Sequence, residues 1–137
     1  MPDHALYAGK AFRIEYAVDA NGKSPARDFL EGLSLKDRPK VWSLLKRLGD
    51  EGKVANREKC KKLKENLFEL KSHQIRILFH YSKRTKRLVV LSHGLIKKKD
   101  DLPQREIERA ERILAEDEER RRMTMTMRAM EFGPSPQ

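Results

Sequence analysis

Between Leu67 and Leu95, three strand-like segments are separated by two short turns, and this spacing leaves the chain few ways to fold. The segments are Leu67–Lys71, Gln74–Tyr81 and Leu88–Leu95, joined by Ser72-His73 and by Ser82–Lys86. Connections this short cannot carry a parallel crossover, so they predict an antiparallel meander. In the middle segment Ile75, Ile77, Phe79 and Tyr81 share one face, and Arg76, Leu78 and His80 share the other. The first face is expected to meet a core. Arg76 and His80 then lie about 13 Å apart along the second face, a span that suits a groove for an extended polyanion.

The flanking segments supply the rest of a small domain. Met1–Gly9 reads as a loose lead-in. Phe12, Ile14, Tyr16 and Val18 alternate with Arg13, Glu15 and Ala17, predicting a half-buried strand that ends in a turn at Asn21-Gly22. Ser24-Pro25 starts a helix over Ala26–Leu33, expected to bury Phe29, Leu30 and Leu33. Ser34 is placed to cap a second helix, with Asp37 near its positive end and Pro39 tolerable in its first turns. Val41, Leu44, Leu45 and Leu48 form the apolar stripe of that helix, and Gly49 and Gly52 mark its exit. Pro103 opens a last helix through Ile107, Ala110, Ile113 and Leu114, whose stripe stops at Ala115. Glu116–Arg122, charged all round, reads as a solvated extension or a frayed end, and Met123–Gln137 reads as disordered. The order β-α-α-β-β-β-α predicts an α+β domain over residues 1–115, an antiparallel-dominated sheet with helices packed on one face. Residues 116–137 follow as an extension.

Charge narrows the partners. The chain has 137 residues and a formal net charge of +10, and hydrophobic residues are only 38% of it. Lys53–Lys99 holds fifteen Lys and Arg against three acids, Glu58, Glu65 and Glu69, a local charge of +12 that leaves the remainder at −2. A field so concentrated attracts polyanions: RNA, DNA or acidic protein segments. No apolar run is long enough for a membrane span or a signal peptide, so a cytoplasmic protein without a membrane partner is expected. One cysteine, Cys60, excludes an internal disulfide framework and a Cys-rich zinc site.

No glycine-rich phosphate loop, dinucleotide fingerprint, zinc-protease helix or nucleophile elbow is present. The three scattered acids of the basic stretch do not form the clamp a two-metal nuclease needs, so no cofactor and no metal are expected. RNA can be cut without metal, because its 2′-hydroxyl can attack the adjacent phosphorus. The protein then supplies a base, cations for the charged transition state and an acid for the leaving oxygen. Side chains able to do this crowd the basic stretch: Lys61, Lys62, Lys64, Lys71, Arg76, His80, Tyr81, His93 and Lys97–Lys99.

A family resemblance follows from four segments in order. NLFELK (Asn66–Lys71), IRILF (Ile75–Phe79), VLSHGLIKK (Val90–Lys98) and PQREIERA (Pro103–Ala110) resemble the RelE/ParE toxin superfamily, in particular its phage-derived HigB-type branch. The likeness spans roughly Phe12–Leu114. It implies the toxin of a type II toxin–antitoxin system, a ribosome-dependent and metal-independent endonuclease of mRNA. It also implies a cognate antitoxin, often with a helix-turn-helix, and a hetero-oligomeric complex. The same superfamily contains gyrase poisons, so the fold alone does not choose between targets. The chain departs from the pattern at Lys71, where arginine is usual, at Phe68, where tryptophan is common, and at Ile96, where phenylalanine is frequent. Lysine keeps the charge but loses the bidentate fork.

Each candidate has a functional and a structural reading. Arg76 is a candidate phosphate clamp, or a strand arginine paired with Glu69, which would orient it. Lys71, Lys62, His80 and His93 are candidates for proton transfer. Lys61, Lys64, Lys97 and Lys98 are candidates for backbone phosphates, and Lys83, Arg84, Lys86 and Arg87 for an electrostatic hairpin on ribosomal RNA. Tyr81, Trp42 and Cys60 are better explained by packing. A basic RNA- or ribosome-binding module without catalysis stays open beside the nuclease.

Overall fold

In the computed structural model, which describes residues 4–56, 58–98 and 101–132, nine elements follow one another. They are β1 (Ala5–Ala8), β2 (Arg13–Tyr16), α1 (Pro25–Glu31), α2 (Arg38–Glu51), β3 (Cys60–Lys64), β4 (Leu67–Ser72), β5 (Ile75–Tyr81), β6 (Leu88–Ile96) and α3 (Gln104–Phe132). Lys99 lies outside the described residues. The six strands form one sheet in the order β1-β2-β6-β5-β4-β3. Only β2 and β6 run parallel; every other pair is antiparallel. The α+β class and the β4-β5-β6 meander are as the turn spacing predicts.

Two strands escape the sequence pattern, and both lie at sheet edges. β1 occupies the expected lead-in; its Tyr7 hydroxyl donates to Asp50 at 2.7 Å and its ring meets Trp42 edge-on. The chain just past β1 also lies against α2, because Gly9 and Gly49 approach so closely that a Cβ on Gly9 would sit 2.2 Å from the Gly49 carbonyl carbon. β3 is lysine-rich and weak in strand propensity. Its backbone pairs with β4 nonetheless, and lysine on an edge strand discourages pairing with another chain.

The helices do not share one face, which corrects the expected layering. Ile75, Ile77 and Phe79 of β5 pack with Val41, Leu44, Leu45 and Leu48 of α2, while Phe29 and Leu30 of α1 are only partly buried beside them. Leu78 of the same strand points the opposite way and packs with Ala110, Ile113 and Leu114 of α3. Alternation buries both sides because the middle strand carries apolar residues on both. The supposedly open groove between Arg76 and His80 is thus roofed at Leu78 by α3. Gly94 permits the packing of α1, since a Cβ there would fall 2.2 Å from the Phe29 ring.

Helix ends also differ in detail. Ser34 does not cap α2 itself. Its hydroxyl accepts from the Asp37 N–H at 3.2 Å in the preceding turn, and Asp37 occupies the N-cap. Gly52 closes α2 in the left-handed conformation. α3 runs unbroken through Phe132, past the point where its apolar stripe ends. Its charged turn is anchored rather than frayed: Asp117 is fully buried and accepts from the Val18 N–H at 2.9 Å. Arg121 joins it to the sheet, 2.6 Å from Asp117 and 2.8 Å from Glu15, and Glu116 accepts from the Ala20 N–H. A buried carboxylate network has the same composition as a solvated face, so no sequence pattern distinguishes the two.

Candidate functional site

At the end of the sheet formed by the β4–β5 turn, the α3-facing side carries Lys61, Glu69, Lys71, Arg76 and His93. The register sets this out in rows: Lys61 opposite Glu69, Glu69 opposite Leu78, and Leu78 opposite His93. Lys71 pairs with Arg76, and Arg76 with Leu95. Lys97 joins the same end, its N–H donating to the Gln74 carbonyl at 2.7 Å.

Arg76 lies under this surface rather than on it. It is 2% exposed; one guanidinium nitrogen donates to the carbonyls of His73 and Ile75, and Nε lies 3.5 Å from the fully buried Glu69 carboxylate. The fork therefore ties the β4–β5 turn to β4 through its ion pair with Glu69. His73, first residue of that turn, has φ of +55°, a left-handed conformation a non-glycine residue adopts at a cost of roughly 1–2 kcal/mol. The arginine bond to its carbonyl offsets that cost.

His93 reaches the α3 side only because of a bulge. Leu78 faces His93 but the next residue, Phe79, faces Leu91, leaving Ser92 as the extra residue of β6. The imidazole is 1% exposed, with Nε2 2.9 Å from Glu106 and Nδ1 3.0 Å from the Ser92 hydroxyl. An ionised carboxylate only accepts, so Nε2 carries the proton and the hydroxyl donates to Nδ1. Burial holds this imidazole below its ordinary range, partly offset by the bond to Glu106. The neutral ring thus has both nitrogens engaged. Strict alternation misplaces His93; the acid in the first turn of α3 was the signal for its partner.

The remaining candidates are dispersed. His80 lies toward the other end of the α3 side, in a polar cavity of about 250 Å³ lined also by Asn66, Lys83, Glu111 and Glu118. Burial lowers its pKa against the opposing pull of Glu118. Lys64 is 3.1 Å from Glu111 of α3. Lys62 pairs with Phe68, whose ring packs on the α1–α2 side, so it shares that face instead. Lys83, Arg84, Lys86 and Arg87 are exposed in the β5–β6 loop at the opposite end of the sheet, and Lys98 is exposed beyond β6. Tyr81 packs edge-on against Phe12, Phe68 and Phe79, and its hydroxyl donates to the Gly52 carbonyl. Burial, with a lesser contribution from Cys60, pushes that phenol up to about 12. Among the described residues no three His, Cys, Asp or Glu side chains gather as metal ligands would, and no helix is long and apolar enough to cross a membrane.

The fold and this surface define a small α+β domain whose cationic residues concentrate on its meander. Residues 28–115 match the phage-derived Gp49-like family (DUF891), and the chain belongs to that family. None of the curated proteins compared matches it. Among solved structures, it is similar to a chain of the RelBE2 toxin–antitoxin complex from Mycobacterium tuberculosis, at 15% identity and a TM-score of 0.36. That likeness covers 55% of this chain and 85% of the other.

Proposed function

We propose that this Gp49-like protein is the toxin of a type II toxin–antitoxin pair and cleaves mRNA on the ribosome. The observation that carries this reading is the juxtaposition of Lys61, Lys71 and Lys97 at one sheet end above the buried Arg76–Glu69 pair. Family membership and the four ordered motifs support it. In this reading the 2′-hydroxyl attacks the neighbouring phosphorus, its proton passes to a base, and the departing 5′-oxygen takes one up. Lys71, with Lys61 and Lys97, neutralises charge on the scissile phosphate. Arg76 and Glu69 are positioning residues that hold the strand carrying Lys71. The ribosome supplies substrate geometry, and an antitoxin neutralises the protein by covering this end.

The enclosure of Arg76 and His93 favours a second reading: a non-catalytic toxin of the same family that acts by binding RNA or gyrase. Primer extension on a reporter mRNA in a cell-free translation system separates the two. Codon-phased cuts that depend on translation and vanish with Lys71→Ala are expected. Arrested translation with intact mRNA would overturn the nuclease, and a supercoiling assay would then test gyrase.

A further inference from the structure

On the other side of the β4–β5 turn lies a second cationic feature. A cleft of about 420 Å³ between α2 and the turn is lined by Lys40, Ser43, Arg47, Lys59, Ser72 and His73, together with Pro39 and Leu44. Among the described residues no carboxylate lines it. Lys40 and Arg47 stand two helical turns apart on one face of α2, with Ser43 between them. Lys59 comes from the loop before β3, whose carbonyl accepts from the Lys71 N–H at 2.7 Å. The cleft wall is thus fastened directly to the strand that carries Lys71.

His73 links the two sides. Its imidazole Nε2 lies 3.5 Å from the Lys40 ammonium, and its carbonyl accepts from Arg76. One strained turn residue therefore faces the cleft with its ring and the sheet site with its backbone. Three aliphatic cations, an imidazole and two hydroxyls supply only donors or neutral acceptors, without a fixed anion, which is the donor set a phosphodiester requires.

We propose that this α2–turn cleft is a phosphate subsite for single-stranded RNA, seating a backbone phosphate on the far side of the turn from Lys71. The proposal rests on the reading of the protein as an RNA-acting toxin and adds a place where the strand is held outside the sheet site. An RNA strand passing over the turn meets cations on both sides of it, so its register at Lys71 is fixed by two anchors instead of one.

The test is fluorescence anisotropy with a 12-nucleotide, 2′-O-methylated single-stranded RNA, which cannot be cut, titrated from 50 to 200 mM KCl. Lys40→Gln/Arg47→Gln is expected to weaken binding at least fivefold at 50 mM. It should also flatten the log–log salt slope by about 0.7, the contribution of one phosphate contact on a single strand. The charge-matched pair Lys23→Gln/Arg128→Gln, both exposed and outside the cleft, should change affinity less than twofold. His73→Asn, which tolerates the left-handed turn, should weaken binding without altering the urea midpoint. Equal losses in the cleft and control pairs would overturn the subsite. So would unchanged binding in the cleft pair alongside weaker binding in Lys71→Gln, an outcome that leaves the RNA reading standing. If wild-type protein ignores the RNA but retains a duplex DNA of the same length, the RNA reading falls and the subsite falls with it.

Discussion

Arg76 combines three tasks in one side chain: it bonds the carbonyls of His73 in the turn and Ile75 at the start of β5, and it neutralises a buried carboxylate. Removing one member of such a pair leaves charge in a place water cannot reach. Arg76→Met is therefore expected to lower unfolding free energy by about 3–5 kcal/mol, read as a shift in urea midpoint at constant slope. Glu69→Gln/Arg76→Met should recover part of that loss, because both charges are then gone. An unchanged midpoint in the single variant would show that the pair is not what holds the turn. His93 gives a pH signature. Its folded pKa is below the unfolded value, so the unfolded chain binds the proton more readily; its contribution is complete above about pH 6.5 and is lost as pH falls through the depressed value. Stability should decline from pH 7 toward pH 5, and His93→Gln should flatten that decline relative to wild type. The identities of both residues were legible as candidates in the sequence. Their burial was not, since it depends on α3 crossing the face that alternation left open.

At the scale of elements, α3 does two jobs with two kinds of residue. Ala110, Ile113 and Leu114 bury apolar area against the sheet, and one turn later Asp117 takes the Val18 N–H where β2 has ended. Asp117→Ala removes the acceptor for that N–H and the partner of Arg120 and Arg121, with an expected cost of about 3 kcal/mol. A chain stopped after Ala115 should lose at least as much, whereas one stopped after Arg122 should unfold at the wild-type urea midpoint, since Met123, Met125, Met127 and Met130 are exposed. Equal stability of all three chains would place the domain boundary at residue 115 after all. The apolar stripe of α2 and the meander were readable because periodicity reports burial by apolar contact. β1, β3 and the charged turn of α3 were not, because backbone pairing and carboxylate networks leave no apolar period.

Across the whole molecule, the +12 stretch divides into two cationic ends of one sheet. The β4–β5 turn end holds Lys61, Lys71 and Lys97 close to buried charges, while the β5–β6 loop presents Lys83, Arg84, Lys86 and Arg87 to solvent. Exposed charges act over about a Debye length, which is near 10 Å at 0.1 M salt and 3 Å at 1 M. The loop is thus suited to accelerating encounter, and the turn end to holding what arrives. Replacing the four loop cations by glutamine should slow association with a single-stranded RNA about tenfold at 50 mM salt in stopped-flow measurements. The difference should shrink to near nothing at 1 M, while dissociation and the urea midpoint stay the same. A faster dissociation instead would assign the loop a direct contact and make the two ends parts of one continuous binding track.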